Sequence, residues 1–398
     1  MKQAFYFLFY KWFPNEKLCI VMSSLAYFLY CVSFYLKKWF QVKKRIVGIS
    51  PETALSVVTA AHPEPISQPV IQNRRAIPAL DASIIVPVYN HLDLLPQTLP
   101  AIVQQKTRYS YEVIMVDDGS TDGARDYVRE FEGNPRVKVV LQKNMGIAGA
   151  RNSGLNEAAG KYVMFVDCDD VVHEDIVEVL LDKAYSTGAD IVMGAHDLVK
   201  QKNGKVTAVR PNVYPQYNLM GYRNGDAIMN YPGLPWCKVY RRKLFEHVRY
   251  FPNCLYEDTI IHWLVFRLCR SFVYVPKVLY EHRWYEGNYS HVQQSGRNIR
   301  AIERYWLIRK LNAKSKQMGL PEDDAFYTLL LRHLGSFYYF DVSGLEESIV
   351  NAMFVLACEL AEEYKPRHPV ELPFALKQIH ESLLTRNIEA WKLACHYQ

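Results

Sequence analysis

From Asp81 onward the chain repeats one pattern, and that repetition limits it to few folds. Runs of β-branched and apolar residues at 82–88, 111–117, 137–142, 161–167 and 189–195 alternate with stretches of helical period starting near Leu92, Asp122, Gly146 and His173. Strands alternating with helices of roughly 10–15 residues predict a parallel sheet with helices on both faces. Ligands of such sheets bind beyond the carboxyl ends of the strands. The polar residues fall there. The first strand ends in Pro87-Val88-Tyr89-Asn90, the second in Asp117-Asp118-Gly119-Ser120-Thr121-Asp122, and the fourth in Asp167-Cys168-Asp169-Asp170.

Acidic helix caps account for Asp122 or Asp170. They do not account for Asp117, Asp118, Asp167 and Asp169 together, because unpaired carboxylates repel. Asp-x-Asp puts two carboxylates on the same side of an extended segment, where they can grip one hard cation. Mg²⁺ or Mn²⁺ completes its shell with phosphate oxygens and water, so Asp167 and Asp169 predict a metal–diphosphate site. Dinucleotide and P-loop sites do not fit. Gly146-x-x-Gly149-x-x-x-x-Gly154 fails the GxGxxG spacing, and Gly154 to Gly160-Lys161-Tyr162 has five intervening residues and Tyr where Ser or Thr must stand.

Composition bounds the rest. Apolar residues at 49% against 22% charged exclude wholesale disorder and supply a sizeable core. A net charge of +6 suits a membrane surface or anionic substrates and implies no dedicated nucleic-acid binder. Eight cysteines without a CxxC pair or zinc-ligand spacing read as buried free thiols in a reducing compartment.

Ahead of the repeating region, Leu18 to Leu36 holds no charge for 19 residues, about 28 Å as a helix and close to a bilayer core of roughly 30 Å. Lys37, Lys38, Lys43, Lys44 and Arg45 follow, with Trp39 and Phe40 at the interface position. Residues 1–45 therefore predict a single-pass or membrane-associated anchor in the inner membrane, with the remainder of the chain cytoplasmic. Three serines and three tyrosines in the run leave a helix lying in the membrane plane as the alternative. Five prolines in residues 46–80 predict a semi-extended linker. Residues 81–295 form the expected catalytic domain, with a hairpin turn at Lys202-Asn203-Gly204-Lys205, and 296–398 read as helical. Arg297, Arg300 and Arg304 recur at helical spacing, as a solvated or a membrane-facing face.

PVYN, VDDGSTD, NMGIAGARNSGL, FVDCDD and LYED, in this order and spacing, resemble family-2 glycosyltransferases of the GT-A fold. PWCKVYRRKLF (235–245), LYEDTIIHWLVF (255–266) and LYEHRWYEGNYS (279–290) resemble the bacterial enzymes that build capsule, exopolysaccharide and lipopolysaccharide O-chains. The resemblance covers about Ser83 to Ser290. It implies an α/β fold with a Rossmann-like mixed sheet and helices on both faces, a nucleotide-sugar donor such as a UDP-sugar, and a glycan or lipid-linked acceptor. By the same resemblance Pro87, Tyr89 and Asn90 lie at the base pocket, and Asp118 or its neighbour Asp117 contacts uracil and ribose. Arg151 lies near the nucleotide-sugar with Asn152 supporting it. Asp167 and Asp169 form the Asp-x-Asp motif, with Asp169 the direct metal ligand. Asp258 is the general base and Glu257 the alternative.

The chemistry is coherent in itself, because glycosyl transfer needs a neutralised leaving diphosphate and a deprotonated acceptor hydroxyl. Taken without the resemblance, an acidic cap on a helix from Thr259 to Cys269 is the lesser alternative for Glu257 and Asp258. Tyr285 stands where relatives often carry a second arginine after Arg283, and His282 reads as a third metal ligand or as an ordinary histidine. Trp236 and Lys238 belong either to an acceptor-side wall or to core and surface. The rival from another class is an inactive sugar-nucleotide-binding scaffold of an envelope-assembly complex. A nucleotidyltransferase is disfavoured because PVYNHLD offers no basic triphosphate loop.

Overall fold

The structure, a computed structural model, describes residues 16–41, 45–66, 80–202, 205–212, 231–285 and 298–398. They form two compact units: the described residues of 1–63, 296–302 and 322–398, and those of 64–295 and 303–321.

The second unit is built on one nine-stranded mixed sheet. Its strands are β1 (Leu80–Val88), β2 (Tyr111–Asp117), β3 (Val137–Leu141), β4 (Gly160–Phe165), β5 (Val171–Val172), β6 (Ile191–Lys202), β7 (Lys205–Asn212), β8 (Lys238–Arg241) and β9 (Phe272–Trp284). The order is β3-β2-β1-β4-β8-β6-β9-β5, with β7 hydrogen-bonded to β6. Strands β3, β2, β1 and β4 are mutually parallel. The wholly parallel sheet that the alternation suggests stops there, because β8 enters antiparallel to both β4 and β6. Four residues are too short a run to carry a readable period. Strand β9 then lies parallel to β6 and antiparallel to β5. β6 and β7 pair as the expected hairpin, Lys202 opposite Lys205, while the turn residues 203 and 204 lie outside the described residues.

β1 is buried from Ala82 to Val88, as a central parallel strand covered on both faces must be. The helix Gly146–Glu157 packs over β1 and β2 and carries Arg151 and Asn152. Gly154 permits that approach, since a Cβ there would lie 2.3 Å from Cγ2 of Ile85. The helix Glu303–Gln317 belongs to this unit as well.

The first unit is helical. Its C-terminal helices Asp324–Arg332, Glu347–Glu363, Phe374–Leu384 and Ile388–Cys395 follow the helical reading of the sequence. Asp323 caps the first through Phe326 N at 2.9 Å. The N-terminal helix runs Glu16–Gln41 and lays Phe34 against the rings of Phe374 and Tyr397, at 5.3 and 5.0 Å between centroids. Ser33 Oγ and the Tyr397 hydroxyl are 3.0 Å apart.

The expected membrane-spanning anchor is not supported: among the described residues no helix is long and apolar enough to cross a membrane. Ser23, Ser24, Tyr27, Tyr30 and Ser33 dilute the apolar run, and Phe34 and Ser23 are buried by protein. Residues 1–15 and 42–44 of that segment lie outside the described residues. The stretch 46–80 differs from a semi-extended linker, because Pro51–Ala61 is a helix. Ser50 caps it by accepting from Thr53 N at 3.2 Å, Pro51 sits at its first turn, and Ala54 and Val58 are buried. Residues 67–79 are again outside the described set.

Gly154→Ala forces the helix away from Ile85, a buried β-branched side chain with little freedom to yield. We expect a loss of about 1–3 kcal/mol in stability. Thermal denaturation followed by circular dichroism checks it, and an unchanged melting curve would contradict the close packing of helix on strand.

Candidate active site

Loops at the carboxyl ends of β1, β2 and β4 are laced together. After β1 the backbone turns left-handed at Asn90 and His91, with φ of 61° and 65°. Asn adopts that conformation more readily than most residues. Its side chain then closes the loop: Thr121 N donates to Asn90 Oδ1 at 2.9 Å, and Asn90 N donates to Ser120 Oγ at 2.9 Å. Asp122 Oδ2 accepts from Leu92 N at 2.9 Å. Tyr89 projects from this turn at 46% exposure, open to a ligand ring. Pro87 is buried within β1 opposite Val116.

The two carboxylates ending β2 are both buried but differently engaged. Asp117 accepts from Arg125 Nε at 2.7 Å and from the Gly119 and Ser120 amides at 3.2 and 3.3 Å. It holds the turn. Asp118 Oδ1 accepts from Gln142 Nε2 at 2.6 Å and Met145 N at 2.8 Å, and burial pushes its carboxyl up.

Arg151 sits at the centre of the site at 2% exposure. Nη2 donates to Asp167 Oδ1 at 2.9 Å and Nη1 to Glu257 Oε1 at 2.6 Å. Burial alone would lower its pKa, and the two carboxylates reverse that and hold it raised. Its guanidinium lies 5.5 Å from the Tyr250 ring centroid. Its Nε–H is buried without a partner among the described residues. Asn152 fixes the same helix by a two-way latch, donating to Tyr250 O at 2.8 Å and accepting from Tyr250 N at 2.9 Å.

Strand β9 clamps the Asp167-Cys168-Asp169-Asp170 loop. β5 begins directly after Asp170 and pairs with β9, Val172 opposite Tyr280. That register brings Tyr280 OH to Asp170 Oδ2 at 2.7 Å, Arg283 N to Oδ1 at 2.8 Å and His282 Nδ1 to both oxygens at 3.3 Å. Two places further, Tyr285 OH donates to Asp169 Oδ2 at 2.9 Å and lies 3.4 Å from His91 Nδ1. Burial first, and Asp167 second, push the Asp169 carboxyl up. His282 therefore faces Asp170, and its ring stacks on Trp236 at 5.1 Å.

Glu257 and Asp258 lie on a loop that the helix Glu303–Gln317 secures. Glu303 Oε2 accepts from Leu255 N at 2.6 Å, and Arg304 covers the Tyr256 ring at 3.8 Å. Tyr256 itself has a φ of 62°. The chain continues through a π-helical turn, Ile261–Val265, into Phe266–Leu268 rather than one regular helix. Asp258 is partly exposed, yet burial and the neighbouring Glu257 push its carboxyl up to about 6.

Trp236 and Lys238 are core residues. Trp236 stacks on Tyr280 at 4.7 Å, and Lys238 Nζ donates to Leu234 O at 2.7 Å. Burial lowers the Lys238 amine to about 7, so neither the solvated-surface reading nor an open acceptor wall describes it. Arg304 is likewise buried and not on a solvated stripe, while Arg297 lies outside the described residues. The sequence gives Asp170 only as a helix cap, Tyr285 only as the replacement of an arginine, and Glu303 not at all, whereas the structure ties all three to the site loops. Their signal is positional: each is made relevant by a strand or helix far along the chain.

Among the described residues no three His, Cys, Asp or Glu side chains gather as a metal-holding group. A hard cation shared with a diphosphate needs only one or two carboxylates from the protein. Asp167 and Asp169 fit that lesser demand. Arg151 takes one oxygen of Asp167 and Tyr285 one oxygen of Asp169, leaving each carboxylate a second oxygen to offer.

Residues 83–249 match the family described as Glycosyl transferase family 2. Glycosyltransferase GlyG of Streptococcus pneumoniae is 30% identical over 216 residues, 52% of this chain and 71% of that protein. Glycosyltransferase GlyA of the same organism is 33% identical over 227 residues, 53% of this chain but 31% of GlyA's length. The cholesterol galactosyltransferase of Borreliella burgdorferi is 26% identical over 280 residues, 65% of this chain and 73% of that protein.

Removing the guanidinium leaves Asp167 and Glu257 unpaired in a partly desolvated site. Arg151→Ala is expected to cost about 3–5 kcal/mol in urea denaturation, and Arg151→Lys to recover only part of it, because an ammonium cannot bridge two carboxylates as a planar fork does. Equal stability of Arg151→Ala and wild type would contradict the bridge.

Proposed function

The chain belongs to glycosyl transferase family 2, and from that premise we propose that it is a metal-dependent inverting enzyme acting on a nucleotide-diphosphate sugar. In this reading the donor is a UDP-sugar, and the acceptor is a glycan or lipid-linked glycan of cell-surface polysaccharide such as capsule or lipopolysaccharide. The chain works on the cytoplasmic side of the inner membrane. The observation that carries the catalytic part is the division of labour around Arg151. Glu257 is held by the guanidinium, whereas the adjacent Asp258 is raised to about 6.

A carboxyl at about 6 is ionised at neutral pH yet more basic than an ordinary carboxylate. Asp258 accordingly accepts the proton of the acceptor hydroxyl as its oxygen attacks the anomeric carbon. Attack from the face opposite the leaving diphosphate inverts that carbon. Asp167 and Asp169 would hold Mg²⁺ or Mn²⁺, which when bound neutralises charge on the leaving diphosphate. Arg151 orients both ends of the site at once, since one guanidinium fixes Asp167 and Glu257. Exposed Tyr89 offers a ring to stack on the base, with the loop behind it tied by Asn90. In this reading Asp118, held by Gln142, is the carboxylate that meets the nucleoside, because Asp117 is committed to Arg125.

Transfer from a panel of UDP-sugars tests this. The base works deprotonated, so kcat/KM falls about tenfold per pH unit below 6 and levels above it. Asp258→Asn is expected to lower kcat by about 10²–10⁴ and to remove that acid limb, with a smaller loss in Glu257→Gln. A full loss in Glu257→Gln beside an active Asp258→Asn would reverse the assignment. No turnover of any donor would favour the inactive scaffold.

A further inference from the structure

The N-terminal helix Glu16–Gln41 has two faces. The inner face, with Phe34 and Ser23 buried, is seated on the helices Phe374–Leu384 and Ile388–Cys395 through Phe374 and Tyr397. The outer face is exposed and apolar: Val21, Leu25, Phe28, Leu29, Leu36 and Trp39 recur at helical spacing, with Trp39 84% and Val21 62% exposed. Scattered single apolar residues on a surface are ordinary, but a continuous stripe along a helix is not. Water is an unfavourable neighbour for it.

The charge distribution says what covers it. Residues 1–51 hold eight Lys and Arg against the single Glu16, a net of +7, whereas the whole chain carries +6. The remaining 347 residues are thus at −1, so the chain's positive excess lies in this segment of the sequence, where Lys38 pairs with Glu381 and Arg45 with Glu347 and Glu389. Trp39 ends the stripe, where an exposed indole suits a headgroup layer, while Lys37 lies toward the other side with its amine 5.4 Å from the Tyr397 ring centroid.

We propose that this helix lies in the plane of an anionic lipid bilayer, its outer stripe sunk into the headgroup–acyl boundary and its inner face kept on the protein. The helix does not cross the bilayer, because its inner face is occupied by the C-terminal helices. This docking does not depend on transfer chemistry or on the identity of the sugar.

Flotation of the full chain with phosphatidylcholine vesicles, with and without about a third phosphatidylglycerol, tests it. We expect binding to the anionic vesicles, weakened at high salt and released by alkaline carbonate, as surface-lying helices are. Leu25→Glu with Phe28→Glu should weaken binding by at least about tenfold. Both positions are exposed, so circular dichroism and UDP binding of this variant should match wild type. Absence of flotation, equal flotation of the double variant, or resistance to carbonate would each overturn the proposal. So would dimers in vesicle-free buffer that the double substitution dissociates, which would assign the stripe to a second copy. A failure of UDP binding in wild type would strike the transferase reading and leave this one standing.

Discussion

A guanidinium almost wholly removed from water needs its charge matched within a few ångströms, and Arg151 meets that need with carboxylates from two distant segments. Asp167 follows β4, and Glu257 lies 90 positions later on a separate loop. A planar fork with fixed donors joins them in one geometry. The helix carrying Arg151 can reach that position because Gly154 lets it settle on β1 and Asn152 latches it to Tyr250. Burial first, and the adjacent Glu257 second, raise the Asp258 carboxyl to about 6. Packing and electrostatics therefore rest on the same contact.

The second organising device is β9. Its antiparallel pairing with the two-residue β5 delivers Tyr280, His282 and the Arg283 amide to Asp170, and carries Tyr285 onto Asp169. A carboxylate at 1% exposure with several donors is a structural anchor. Asp170 thus fixes the loop while Asp167 and Asp169 remain the pair that can face a cation. Tyr285, in the loop that follows β9, supplies its hydroxyl to the Asp169 carboxylate at 2.9 Å.

Much of this was legible in the sequence. Strands β1, β2 and β4 announce themselves because buried parallel strands are continuous apolar runs, and the acidic clusters after β2 and β4 fall where the sheet topology puts ligands. Short and long-range features were not. β8 is four residues long, and the pairings of Asp170 with Tyr280 and of Leu255 with Glu303 span 110 and 48 positions. Arg304 reads from sequence as solvated or membrane-facing and Lys238 as acceptor wall or surface, and only the tertiary context of Tyr256 and Leu234 shows them buried. The N-terminal helix misled in the opposite sense: an uncharged run long enough for a bilayer is also what a helix needs when one face packs on protein and the other is apolar.

The proposed transferase requires the loop after β4 to be a metal–diphosphate site. Calorimetry of UDP binding to the full chain, with and without Mn²⁺, and with Asp169→Ala beside wild type, tests that most directly. Binding that requires Mn²⁺ and is lost in Asp169→Ala is the predicted result. Silence toward UDP, GDP and dTDP alike, or affinity indifferent to both the metal and the substitution, would contradict it.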